Sequence, residues 1–161
     1  MSTDDWQLNP KIFELFMKHF KASVTIELFA SDANCLTKRY LTKEIDAFKI
    51  PWNNETPYLN PPFSKINDCL FKIVQDEVGC AFIVVPYWPN ASWFQQFCRL
   101  ATEPGLLVDN DSKDIFLHQG QHIIKAPPFK TILAKIGWKD QGKCQLFPNK
   151  YQQTTRNIQK N

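Results

Sequence analysis

The chain has 161 residues, 43% hydrophobic and 22% charged, with a formal net charge of +3, which is room for one domain with one sizeable core. No run of about 18 apolar residues occurs, so a membrane-spanning helix is excluded. The polar, acidic start Met1-Ser2-Thr3-Asp4-Asp5 is unlike a secretory signal, and the expectation is an intracellular protein of cytoplasm or nucleus. The cationic excess comes from Lys150, Arg156 and Lys160, leaving residues 1–148 formally neutral. Three such charges support only weak, salt-sensitive phosphate contact. One domain over residues 1–148 and a basic tail over 149–161, expected to be disordered, follow from this division.

In chain order, Ile12, Phe13, Leu15, Phe16 and Phe20 recur at a helical period behind Asn9, a capping residue, and Pro10. Residues 23–29 read as a buried strand that ends at the turn-prone Ser31-Asp32. A short helix is expected over 33–40, a second strand over 45–50 and a loop over 51–57. Tyr58-Leu59 leads into Asn60-Pro61-Pro62-Phe63, whose two prolines exclude a central strand or a helix interior. Ser64 is placed to cap a helix running to about residue 77, with Ile66, Leu70, Ile73 and Val74 on one face and Gly79 beyond its end.

Residues 80–86 are apolar throughout, as in a strand buried on both faces. A helix over 92–101 and strands over 106–108, 114–118, 122–124 and 131–136 complete the reading. Strand and helix alternate through the first half, which points to a mostly parallel sheet with helices on both faces and a later portion open to antiparallel pairing. Ligands of such sheets bind beyond the strands' carboxyl ends, where the loops 30–34, 59–63 and 86–90 converge. The five cysteines have no metal-site spacing, and reduced core thiols are the expectation. His118 and His122 are close enough to share a metal, but read more simply as polar strand or loop residues, and no metal is expected.

Asn60-Pro61-Pro62-Phe63 carries a chemical logic. Adenine's exocyclic amine is a poor nucleophile because its lone pair is delocalised into the ring. A site that methylates it needs acceptors around the amine, and the Asn60 side-chain oxygen and the Pro61 carbonyl supply two. The prolines hold both in place beforehand, and the Phe63 ring offers a face for an extruded base. A second string, Ala126-Pro127-Pro128-Phe129, lacks the asparagine and reads as structural. Trp93, Phe94 and Phe97 share one helix and read as core.

With residues 25–34, this motif resembles the short, phage-type DNA adenine-N6 methyltransferases (the Dam-like family), and the likeness continues through Asp46-Ala47, Trp52, residues 83–86 and Trp93-Phe94. Leu28-Phe29-Ala30-Ser31, Asn34, Trp52, Pro61-Pro62, Pro86, Trp88-Pro89 and Trp93-Phe94 are also similar to a methyltransferase-like domain in DIRS-type retroelement polyproteins. The resemblance implies a small Rossmann-like α/β methyltransferase fold and S-adenosylmethionine as cofactor. Transfer to adenine N6 in DNA would proceed by in-line displacement, without a covalent enzyme intermediate.

By the same resemblance, Trp6, Asn9 and Pro10 touch the cofactor's methionine end. Glu27 pairs with its ammonium or with neighbouring polar groups, Phe29, Ala30 and Ser31 form the turn beneath it, and Asp46 reaches its ribose or adenine. Asn60, Pro61, Pro62 and Phe63 hold the target base, with Pro86 and Trp88 at the pocket's border. The glycine-rich turn common in methyltransferases is absent, since no glycine precedes Gly79. Recognition of sequence around the target would need residues 109–122, the basic tail or a partner protein. Two other readings stand beside this one: a non-catalytic retroelement-type domain for nucleic-acid binding (DNA or RNA) or assembly, and a methyltransferase acting on another amide nitrogen.

Overall fold

The computed structural model describes residues 6–109, 115–118, 121–122 and 128–139. β1 (Trp6–Leu8) runs into α1 (Pro10–Phe20) through Asn9, whose side-chain oxygen accepts the Lys11 N–H at 3.0 Å. Pro10 takes the first turn, where no N–H is needed. Ile12, Phe16 and Phe20 are buried along one face, and Lys21 ends the helix at φ 52°.

The main sheet has the order β3-β2-β4-β5-β9-β6. Four strands, β2 (Ile26–Ala30), β3 (Tyr40–Thr42), β4 (Pro57–Leu59) and β5 (Ala81–Pro86), pair in parallel. β9 (Thr131–Ile136) lies antiparallel between β5 and β6 (Leu106–Val108). The sheet is therefore mixed, which corrects the expectation of a mostly parallel one: the chain returns from β6 to fill the place beside β5 in the opposite sense. β1 joins β7 (Phe116–His118) and β8 (Gln121–His122) in a separate antiparallel sheet.

Helices cover both faces. Phe82 and Val84 of β5, with Tyr58 and Leu133, pack against Ile12, Phe16 and Phe20 of α1. The alternate residues Ala81, Ile83 and Val85, with Leu59, Ile132 and Ala134, pack against α2 (Ile66–Gln75) and α3 (Phe94–Leu100). β5 is buried at every position, as a strand sandwiched between helices must be. Trp93, Phe94 and Phe97 are core, as expected.

Local expectations failed where side chains compete for the backbone. Residues 31–39 are turns rather than a helix: the Leu36 N–H goes to the Glu27 carboxylate at 2.6 Å, the Asn34 N–H to the Ser31 carbonyl, and the Tyr40 hydroxyl to Asp32 at 2.8 Å. The second strand is Tyr40–Thr42, whereas Ala47–Lys49 is a 3-10 turn capped by Asp46, whose carboxylate accepts the Phe48 N–H at 3.0 Å.

Ser64 does not cap α2. It lies inside a 3-10 turn, Phe63–Lys65, that leads into the helix. Val74 is exposed, its place on the buried face being taken by Cys69, and Glu77 at φ 52°, not Gly79, turns the chain out of the helix. Cys69 and Cys98 are buried and Cys35 and Cys80 half-buried, none of the four in a disulfide; Cys144 and the tail 149–161 lie outside the described residues.

Candidate active site

β2, β4 and β5 run in parallel with Leu28, Leu59 and Ile83 in register, so their carboxyl ends share one edge. Asn60 follows directly on β4 there. Pro61 is buried and Pro62 and Phe63 are half-buried. The Pro62 carbonyl accepts the Lys65 N–H at 2.8 Å, which commits that oxygen and leaves Pro61's as the backbone acceptor of interest.

Beside this corner is a small hollow lined by Asn60, Pro61 and Phe63 together with Pro86, Phe116 and Phe129. Two of its lining rings, Phe63 and Phe129, meet edge to face, and each also meets the Trp88 ring. Phe63 lies 4.8 Å from Trp88 and 5.3 Å from Phe129, and Trp88 lies 5.6 Å from Phe129. Phe129, from the second Pro-Pro-Phe string that reads as structural, is buried and sits against the first string's ring. Its position 66 residues along the chain offered no local signal, although the repeated tripeptide itself was a clue.

At the end of β2, Phe29 takes φ 64°, a left-handed conformation that costs a non-glycine residue roughly 1–2 kcal/mol. The register between β2 and β3 shifts at this point, between Glu27 and Ala30. Phe29 is thus an irregular residue inside β2, and its ring is held against Phe48 at 5.6 Å. Ser31 follows the strand's end. Asp46 comes to the same corner through Phe48, which also stacks near Trp52 at 5.7 Å.

Glu27 is 4% exposed, and burial pushes its carboxyl up to about 7 against the pull of the Leu36 and Thr37 backbone N–H groups. Its strand partner Tyr58 is fully buried and has a hydroxyl without a partner among the described residues. Asn34, 8% exposed, carries a side-chain oxygen in the same condition. Asn34 was legible as a loop residue and as part of the resemblance, with no role assigned to its side chain. Trp6, Asn9 and Pro10 lie elsewhere in the fold: Trp6 pairs with His118, Leu8 with Phe116, and the Asn9 N–H donates to the Ile115 carbonyl at 2.7 Å. Phe116, the strand partner of Leu8, lines the hollow.

Residues 1–107 match the DNA N-6-adenine-methyltransferase (Dam) family. The chain belongs to that family. Its function is thus that of a DNA methyltransferase acting on adenine N6, and the family implies S-adenosylmethionine as the methyl donor. No curated protein and no solved structure matches the chain. Among the described residues of this Dam-family protein, no helix is long and apolar enough to cross a membrane, and no cluster of three or more metal-ligating side chains occurs. The match ends within β6, so Phe129 and all of β9 lie outside it.

Proposed function

We propose that this protein methylates adenine N6 in DNA at the Asn60-Pro61-Pro62-Phe63 corner, within a Rossmann-like methyltransferase fold built over residues 1–148. What supports the reading is the corner itself: a proline-stiffened acceptor pair at a strand's carboxyl end, beside a hollow lined by Phe63 and Phe129, whose rings also meet Trp88. The Asn60 side-chain oxygen and the Pro61 carbonyl take the amine's two N–H bonds, which draws nitrogen's lone pair out of conjugation and toward the methyl donor. Phe63, Trp88 and Phe129 hold the base by its faces and edges.

S-adenosylmethionine supplies, when bound, a methyl group on a sulfonium centre. The residues at the end of β2 suit such a ligand. The Asn34 oxygen is buried without a partner among the described residues, an acceptor for an ammonium. Glu27 offers a carboxylate once ionised, and the left-handed conformation at Phe29, with Ala30 and Ser31, brings backbone close. Asp46 stands beside this segment for the ribose or adenine, and Trp6, Asn9 and Pro10 approach from the side of β7. Tail cations or a partner protein extend the contact along DNA.

The test is transfer of labelled methyl groups from S-adenosylmethionine to DNA, with N6-methyladenine identified in the digest. Asn60→Ala should lower the rate by about 10² to 10³, the usual cost of one pre-set polar group at a reacting centre. Its thermal shift with S-adenosylhomocysteine should match the wild type's. Wild-type rates in Asn60→Ala would refute the assignment.

A further inference from the structure

Thr131 opens β9, paired with Pro86 on one side and Val108 on the other, so it stands at the sheet edge where β5 ends. It is 1% exposed, and its Oγ1 has no hydrogen-bond partner among the described residues. A buried hydroxyl left unpaired works against folding, and valine would fill much the same space without that penalty. Thr131 also lines the hollow, where every side chain other than its own and Asn60's is apolar.

We propose that Thr131 is a specificity-determining residue, its hydroxyl donating a hydrogen bond to a ring nitrogen of the target adenine while Asn60 accepts from N6. N1 and N7 flank the exocyclic amine, and both are acceptors in adenine. An acceptor on one side of the hollow and a donor on the other complement that edge. The inference rests on the base site proposed above, and Thr131 lies beyond the stretch that matches the family.

The experiment uses the full chain and a DNA duplex that the wild type methylates at one adenine, made also with 1-deazaadenine or 7-deazaadenine at that position. Thr131→Val should lower kcat/KM on the adenine duplex about tenfold, with Tm no lower than the wild type's and the S-adenosylhomocysteine thermal shift intact. Thr131→Ser, which keeps the hydroxyl, should stay within about threefold of the wild type. On one of the two deaza duplexes the wild type should fall about tenfold and Thr131→Val no further than on adenine.

A Thr131→Val rate within about twofold of wild type on adenine would overturn the proposal. So would an equal loss on all three duplexes, or a lowered Tm with Thr131→Ser as impaired as Thr131→Val. An unimpaired Asn60→Ala on the same duplex would instead bring down the base-site reading, and this inference with it.

Discussion

Glu27 ties the stability of this fold to pH in a direction opposite to most carboxylates. Its folded-state value is raised from 4.5 to about 7, so between those two values the folded chain holds a proton that the unfolded chain has released. The stabilisation is complete below about pH 4.5 and is lost as pH rises through about 7. At ~1.4 kcal/mol per tenfold the whole span is worth about 3 kcal/mol, of which about 2.5 kcal/mol falls between pH 5 and pH 8. Glu27→Gln removes the titration while its amide oxygen still accepts the Leu36 N–H. Urea unfolding of both proteins at pH 5, 6, 7 and 8 should show their stability difference move by about 2.5 kcal/mol in favour of Glu27→Gln. Should Glu27 face the cofactor's ammonium, wild-type affinity for S-adenosylhomocysteine should also strengthen with pH up to about 7 and level off there, a trend that Glu27→Gln lacks. A stability difference that stays constant from pH 5 to pH 8 would refute the account of Glu27 as a buried proton holder.

Three further outcomes are expected. Phe129→Ala and Trp88→Ala should each weaken methyl transfer by about tenfold to a hundredfold, in line with the worth of one base–aromatic contact, and leave S-adenosylhomocysteine binding in place; steady-state kinetics at saturating cofactor would show it. Asp76→Ala should cost about 2–3 kcal/mol in urea unfolding, because Asp76 accepts the Trp52 N–H at 2.9 Å and pairs with Lys72 at 2.9 Å in a largely buried setting. Gly137→Ala should cost about 1–3 kcal/mol, since an added Cβ would lie 2.7 Å from the Gly79 carbonyl oxygen, a backbone atom with little freedom to yield; calorimetric Tm would report it.

What the sequence determined by itself was whatever short-range chemistry controls. α1 was legible from its apolar period and from Asn9-Pro10 at its start, β5 from an unbroken apolar run, and the Asn60 corner from two prolines between a strand and a helix. Tertiary structure decided the rest, because the deciding contacts join residues remote in the chain.

The segment 31–39 has no helix because the Glu27 carboxylate, nine residues before Leu36, takes an N–H that a helix would need. Phe29 takes a left-handed conformation inside β2, where the register against β3 shifts and its ring packs on Phe48, contacts that no local pattern encodes. Phe129 and Thr131 reach the Asn60 corner because β9 inserts antiparallel beside β5, and no propensity of the residues near them encodes that pairing. A sheet's strand order is set by which apolar faces bury best against each other across the whole chain, so it emerges only when the chain is closed.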